Sequence, residues 1–261
     1  MEMDRQTALL VALHQGLSRL GPGDADCTLK AFALCAELPA VPAILDVGCG
    51  TGAQTLVLAA ATDGRITATD LIGAFLTQLN ERAVTMGLDK RIQTVAADMR
   101  DLPFPDGRFD LIWSEGAAYI MGFDNALTKW RSVAKPGGYL VVSDLSWFQQ
   151  DPPADIRDFW DRHYPAMRTV EENLAAAHTA GWTPVGTYRL PAEAWRRYYQ
   201  PLEQRLPTFR RSCGGDVDAQ AVADLTEQEM SLMGRYLDCC GYELFVLRRS
   251  ARDQRQGIAI G

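Results

Sequence analysis

The stretch Ile44-Leu45-Asp46-Val47-Gly48-Cys49-Gly50-Thr51-Gly52 decides the fold. It is an apolar run typical of a buried strand that breaks into three glycines at alternate positions, and the helical stretch 54–61 follows it. A strand that ends in glycines lets a ligand approach the backbone closely, and the helix after it offers unpaired N–H groups to an anion. We therefore expect a nucleoside-like ligand at this turn.

Apolar runs alternate with helical segments from residue 43 onward. This pattern is typical of a doubly wound, mostly parallel α/β sheet that is covered on both faces. Seven strands are predicted, at residues 43–47, 66–69, 92–96, 109–113, 138–143, 184–190 and 242–248. The helices predicted between them cover residues 53–61, 73–87, 124–134 and 170–180.

Helical segments also lie outside this alternation. Residues 1–40 contain two of them, at 5–20 and 28–38, which form either an N-terminal cap or simple packing against the sheet edge. The main domain is expected at 41–250, with helical insertions near 147–165 and 191–237, after the fifth and sixth strands, and a flexible tail at 251–261. One or both insertions are expected to roof a site.

Composition narrows the class of partner. The chain has 261 residues, 47% of them hydrophobic, with a net charge of −7, which argues against a dedicated nucleic-acid or anionic-membrane binder. Its first residues do not resemble a secretory signal, and no apolar run approaches the ~18 residues that span a bilayer. Six cysteines without a C-x-x-C pair predict neither a disulfide nor a metal site. We expect a cytoplasmic protein with a small-molecule partner, whose flanking helices would permit a homodimer.

Two aspartates strengthen the prediction of a ligand site at the glycine turn. The spacing G-x-G-x-G differs from the G-x-G-x-x-G of nicotinamide-binding enzymes and is a weak signal alone. Asp70, however, closes the second predicted strand, and Asp98 closes the third. A carboxylate at the first position can accept hydrogen bonds from ribose hydroxyls, and one at the second can accept them from the exocyclic amine of adenine. Together these acids outline an adenosine site.

Five motifs occur in order across residues 41–145: 45–52, Asp70, 97–104, 109–113 and 135–139. They resemble the ordered motifs of class I S-adenosylmethionine-dependent methyltransferases, which have a Rossmann-like fold. Residues 114–117 and 146–148 further resemble a small bacterial subgroup that acts on unidentified small molecules. The resemblance implies S-adenosyl-L-methionine as cofactor. It also implies the following contacts: the methionine portion with Gly48, Gly50 and Gly52, its ammonium with Asp46 directly or through water, the ribose with Asp70, the adenine with Leu71, Asp98 and Met99, and the transferred methyl with Ser114 and Glu115.

Methyl transfer from a sulfonium is an in-line displacement, so the protein mainly aligns the acceptor and excludes water. An acceptor that enters protonated also needs a base. Glu115 and His163 are candidates for taking a proton, and Tyr119 for orienting the acceptor, although a cap, surface or packing role would explain each of them as well. Four aromatic residues could wall the pocket or stack on a cationic substrate, although ordinary packing is favoured for each: Trp113, Trp147, Phe148 and Trp160. The basic and aromatic stretch 195–199 suggests either an RNA clamp or, favoured by the acidic surroundings, a solvated helix.

The leading hypothesis is a methyltransferase that acts on a small molecule with an amine or a carboxylate. Three alternatives stay open. The fold also supports non-methylating chemistry on the sulfonium, such as intramolecular cyclisation, or a non-catalytic cofactor-binding subunit. A nicotinamide dehydrogenase is disfavoured by the glycine spacing and by the lack of a convincing hydride-handling residue.

Overall fold

The computed structural model describes residues 4–250, so the predicted flexible tail at 251–261 lies outside the described residues. One open sheet runs through this part of the chain in the strand order β3-β2-β1-β4-β5-β8-β7, with β6 paired to β5. The strands are β1 Ala43–Val47, β2 Arg65–Asp70, β3 Ile92–Ala96, β4 Phe109–Ser114, β5 Ala134–Trp147, β6 Arg168–Thr169, β7 Trp182–Arg189 and β8 Cys240–Arg249.

Nine α-helices connect or flank these strands within residues 4–250. They are α1 Arg5–His14, α2 Ala25–Ala33, α3 Ala53–Ala61, α4 Gly73–Thr85, α5 Phe123–Lys129, α6 Ala154–His163, α7 Val170–Thr179, α8 Ala192–Ser212 and α9 Val217–Tyr236. A short 3-10 helix, Ala118–Ile120, follows β4. None of the described helices is both long and apolar enough to cross a bilayer.

The order of the strands places a crevice beside β1. This strand pairs in parallel with β2 on one side and β4 on the other, so the chain reverses its direction of travel across the sheet there. In open α/β sheets ligands bind outside the carboxyl ends of the strands at such a switch point. Only β8 runs antiparallel, between β5 and β7. The predicted doubly wound, mostly parallel sheet is confirmed, with the two-residue β6 as an eighth strand.

Several predicted boundaries need correction. The strand predicted at 138–143 extends over Ala134–Trp147, because Lys135-Pro136-Gly137-Gly138 lies inside it at a register shift against β4 rather than ending a helix. Irregular pairing of this kind tolerates proline and glycine within a strand. Helix α1 ends at His14 instead of residue 20, since Gly16 has a φ of +79° that a right-handed helix cannot use.

The predicted insertions are helical, and they gather on one side of the molecule. Helix α6 lies between β5 and β6, while α8 and α9 lie between β7 and β8, pack on each other, and both contact α1. The predicted break between α8 and α9 near residues 212–215 is present. These helices form part of the wall of one cavity of about 700 Å³ that also reaches the glycine turn after β1.

Candidate active site

The glycine turn adopts a backbone that L-residues avoid. Gly48, Gly50 and Gly52 have φ values of +68°, +53° and +81°. A Cβ atom at Gly48 would lie 2.5 Å from the Cβ of Ala117, and one at Gly50 would lie 2.9 Å from Cδ1 of Leu20. The first two glycines line the cavity, whereas Gly52 packs toward Leu79 and does not line it. Packing inside the protein therefore accounts for Gly52.

Asp70 fixes the turn and also faces the cavity. Its Oδ2 accepts a hydrogen bond from the Gly50 N–H and its Oδ1 from the Ile72 N–H, both at 2.9 Å. Burial raises the pKa of this carboxyl, and the two backbone N–H groups oppose that shift. Because two carboxylate oxygens offer about four lone-pair sites, Asp70 keeps acceptor capacity for a diol in the cavity.

The residues predicted around adenine meet at the same edge. Asp98 Oδ1 accepts from the Arg100 N–H at 2.9 Å, and the Asp98 side chain is 30% exposed at the cavity. Leu71, although apolar, is 54% exposed and lines this part of the cavity together with Met99. Two apolar side chains and an acceptor in one recess suit a flat aromatic base that carries an amine.

Asp46 lies beneath the turn and does not line the cavity. It is fully buried, and its oxygens accept from Thr55 Oγ1 at 2.5 Å and Gln54 Nε2 at 3.2 Å. Burial raises the pKa of Asp46 to about 7. Gln54 also donates to the Cys49 carbonyl and lines the cavity itself. A direct contact between Asp46 and a ligand would need a rearrangement here, whereas Asp46 holds Gln54 in place as it stands.

Glu115 has little free acceptor capacity. Its Oε1 accepts from Trp113 Nε1 at 2.9 Å and Thr28 Oγ1 at 2.7 Å, and its Oε2 accepts from Arg19 Nη1 at 2.9 Å. The carboxylate lines the cavity but is bound by three donors, so the geometry favours a role in holding the N-terminal segment over proton transfer. Ser114, just before it, is fully buried away from the cavity, and its hydroxyl has no hydrogen-bond partner.

Tyr119 and His163 lie on the cavity wall, as predicted for residues near an acceptor. The Tyr119 ring stands edge-on to Tyr164 with centroids 6.3 Å apart. Burial lowers the pKa of His163, which favours the neutral imidazole, and its ring packs 4.6 Å from Phe159. Of the twelve predicted site residues, nine line the cavity: Gly48, Gly50, Asp70, Leu71, Asp98, Met99, Glu115, Tyr119 and His163.

The comparisons with known proteins agree with this arrangement. Residues 44–138 match a family model described as a methyltransferase domain. This segment is a methyltransferase domain, and it resembles those of the class I S-adenosylmethionine-dependent methyltransferases. The predicted family is thus confirmed, and the matched segment carries the glycine turn, Asp70 and Asp98.

Curated relatives of this protein share part of its length. It is 31% identical over 167 residues to 2-methyl-6-phytyl-1,4-hydroquinone methyltransferase of Synechocystis sp., a match that covers 56% of this chain and 51% of that protein. The chain spans about half the length, or less, of the curated relatives it matches.

Two solved structures share the fold at low identity. A methyltransferase from Thiobacillus denitrificans in complex with S-adenosyl-L-homocysteine superposes with a TM-score of 0.77 at 20% identity, covering 95% of this chain and 99% of that one. The [4+2]-cyclase SpnF gives a TM-score of 0.74 at 22% identity, covering 94% and 93%. The confirmed fold therefore also carries non-methylating chemistry in another protein.

Of the aromatic residues expected to wall the pocket, Trp160 lines the far half of the cavity, whereas Trp113, Trp147 and Phe148 do not line it. Sequence reasoning missed the rest of that half. Aromatic rings from α6, α8 and β8 line it, with Glu229 of α9 among them; the rings belong to Trp160, Tyr164, Trp195, Tyr198, Tyr199 and Tyr242. The signal was present in the periodicity. Trp195, Tyr198 and Tyr199 share one helix face, and Glu229 interrupts an apolar stripe at 222, 225 and 233.

The arginines of the basic and aromatic stretch point elsewhere. Arg196 and Arg197 bind Glu193 on their own helix, and Arg197 also reaches Asp24. Arg205 donates to the carbonyls of Leu13 and Gln15, which joins α8 to the end of α1. None of these arginines lines the cavity, and Arg197 and Arg205 instead join α8 to the N-terminal segment.

Proposed function

We propose that this methyltransferase binds S-adenosylmethionine in the half of the cavity next to the glycine turn and transfers its methyl group to a small molecule in the aromatic half. One observation carries the proposal: the glycine turn, Asp70 and Asp98 open into the same cavity as a separate ring-lined recess. A volume of about 700 Å³ lies within the range of about 300–1,000 Å³ usual for small-molecule sites.

The residues present fit the cofactor. We assign the ribose to Asp70, the adenine to Leu71, Asp98 and Met99, and the amino-acid portion to the backbone at Gly48 and Gly50. Arg19 and Gln54 line the same part of the cavity, and the guanidinium matches the charge of a carboxylate. Three predicted residues support this half without lining it. Asp46 supports Gln54, Gly52 supports the turn, and Ser114 supports the end of β4.

When bound, the cofactor supplies an electrophilic methyl group on a sulfonium. The protein's share is to align the acceptor behind that methyl group and to exclude water. Tyr119 and His163, on the cavity wall, are the proposed orienting group and proton acceptor from the original site prediction. Glu115 is assigned instead to positioning Arg19, because its oxygens are already bound by three donors.

Calorimetry with S-adenosylhomocysteine tests the cofactor site. Asp70→Ala should weaken binding by about 1–3 kcal/mol, or roughly 5- to 150-fold, because it leaves hydrogen-bonding partners unpaired. Asp63→Ala removes an exposed aspartate between α3 and β2 and serves as the matched control, with unchanged affinity expected. Equal affinity of both variants and the wild type would refute the assigned site.

Product analysis tests the chemistry. Incubation with S-adenosylmethionine and metabolite fractions should release S-adenosylhomocysteine and a methylated product. Methylthioadenosine as the product would instead indicate non-methylating use of the sulfonium, and binding without turnover in every fraction would indicate a cofactor-binding subunit. A cytoplasmic location belongs to this proposal and agrees with the six free thiols. Homodimer formation and the lack of a nucleic-acid partner stay predictions.

A further inference from the structure

A single carboxylate stands among the rings of the aromatic half of the cavity. Glu229 Oε1 accepts a hydrogen bond from the Tyr199 hydroxyl at 2.8 Å, and no hydrogen bond to Oε2 is formed within the described residues. Burial raises the pKa of Glu229, and the Tyr199 hydrogen bond opposes the shift only in part. The half-buried carboxylate is therefore partly desolvated, and the described part of the chain places no positive partner against it.

The aromatic half of the cavity presents ring faces and few cationic groups to a ligand. The ring of Trp195 stacks on that of Tyr242, with centroids 5.4 Å apart, and lies 5.8 Å from the ring centroid of Tyr199. The ring centroids of Tyr198 and Tyr199 are 5.0 Å apart. Burial raises the pKa of Tyr119, Tyr198, Tyr199 and Tyr242, and the negative charge of Glu229 adds to each shift. These phenols remain neutral at neutral pH.

The histidines on the wall are also uncharged. In the neutral ring of His14, Nδ1 donates to the Leu10 carbonyl at 2.9 Å, and Nε2 accepts from the Tyr198 hydroxyl at 3.0 Å. Burial lowers the pKa of both His14 and His163. Among the described lining residues the permanent cations are Arg19, bound to Glu115, and Arg100, bound to Asp98.

From this geometry we infer that the acceptor is an amine, bound in its ammonium form between the aromatic faces with Glu229 as its counter-ion. Ring faces attract cations, and more strongly where both are desolvated. A carboxylate in such a recess is stabilised by a positive partner, and no side chain among residues 4–250 provides one for Glu229. A carboxylate or phosphate on the acceptor would meet Glu229 with like charge, so the carboxylate-bearing alternative is disfavoured.

This inference rests on the proposed methyl transfer, and the step balances. The ammonium passes one proton to the Glu229 carboxylate, which for an amine takes the place of His163 as proton acceptor, and the freed nitrogen lone pair attacks the methyl carbon. The carbon–sulfur bond breaks with its electron pair staying on sulfur, which leaves neutral S-adenosylhomocysteine. The positive charge moves to the methylated nitrogen, and the proton on Glu229 leaves to solvent.

A matched pair of probes tests the charge preference without knowledge of the natural acceptor. 3-(Trimethylammonio)phenol and 3-tert-butylphenol share shape and hydroxyl but differ in charge. With S-adenosylhomocysteine saturating, calorimetry on the full chain should give at least tenfold tighter binding of the cation. Equal affinities, tighter binding of the neutral phenol, or no binding of the cation at millimolar concentration would each overturn the inference.

Variants of α9 assign the preference to one residue. Glu229→Gln should reduce the preference for the cationic over the neutral probe to below about threefold and leave the affinity for S-adenosylhomocysteine unchanged. Glu227→Gln makes the same change on the same helix at an exposed glutamate that binds Arg210, and it should keep the tenfold preference. A preference that persists in Glu229→Gln would refute the role of Glu229.

The outcomes separate this inference from the proposed function. If S-adenosylhomocysteine fails to bind the wild type, the proposed function fails. If it binds and the cation preference is absent, only the amine inference fails. If Glu229→Gln does not fold by circular dichroism, the two probes still decide the question on the wild-type protein.

Discussion

Replacement of Glu115 by glutamine should destabilise the protein through one defined contact. Oε1 keeps its bonds from Trp113 and Thr28 in this variant, because an amide oxygen also accepts. Oε2, which accepts from Arg19 Nη1 at 2.9 Å, becomes an NH₂ group that faces another donor. The change therefore removes the ion pair and leaves the guanidinium without its acceptor.

The burial of this pair sets the magnitude. The side chains of Arg19 and Glu115 are 17% and 5% exposed. A hydrogen bond to a charged group contributes about 1.5–3 kcal/mol, and loss of one partner of a buried pair adds the desolvation of the other. We expect the free energy of unfolding to fall by about 2–3 kcal/mol. Affinity for S-adenosylhomocysteine should fall by about two- to tenfold, since binding must then order a long side chain.

Urea denaturation and calorimetry measure both effects. Glu193→Gln is the matched control, because Glu193 binds Arg196 and Arg197 on the surface, where ion pairs contribute little. A double-mutant cycle with Arg19→Met should give a coupling free energy above about 1 kcal/mol between residues 19 and 115. A coupling near zero, or equal stability of Glu115→Gln and Glu193→Gln, would refute the reasoning.

Two other predictions follow from burial and backbone geometry. Gly48→Ala should lower the free energy of unfolding by about 2–4 kcal/mol, because its φ is +68° and its Cβ would lie 2.5 Å from that of Ala117. Gly116→Ala, at φ +65° with open space around it, should lose only about 1–2 kcal/mol, and equal losses in urea denaturation would contradict the steric argument. Burial raises the pKa of Asp46 to about 7, so the folded protein keeps a proton that the unfolded chain releases near pH 4. The retained proton stabilises the folded state at low pH. This stabilisation falls by about 3 kcal/mol between pH 5 and 8, as the pH rises through the pKa of Asp46. Asp46→Asn should remove that part of the pH dependence, and an unaltered slope of stability against pH would show that the carboxyl is ionised throughout.

The cofactor half could be predicted because its signals are local in the sequence. Strand β1 and the glycines after it are contiguous, and Asp70 and Asp98 follow from their position at the ends of two parallel strands. Residue type alone did not show which of the predicted contacts face inward. Asp46 and Ser114 lie on strands whose side chains alternate between faces, and both are buried away from the cavity.

The aromatic half could not be assembled from the sequence because its parts are far apart in the chain. His14 and Tyr198, whose side chains are hydrogen-bonded, are 184 residues apart. The pattern at 195–199 predicted a helix with an aromatic face but not the partner of that face. The docking of α1 against α8 and α9 supplies this information, and it depends on contacts such as Arg205 with the end of α1.

The division of the cavity limits what relatives reveal about the acceptor. The segment that matches the family, residues 44–138, supplies the glycine turn, Asp70 and Asp98. Glu229 and the rings around it come from α6, α8, α9 and β8, all beyond that segment. Carboxylates line both halves of the cavity. The lining arginines, Arg19 and Arg100, are already paired with Glu115 and Asp98. Such a field favours a sulfonium and an ammonium over neutral S-adenosylhomocysteine, so the proposed reaction removes one of the charges that hold its own substrates in place.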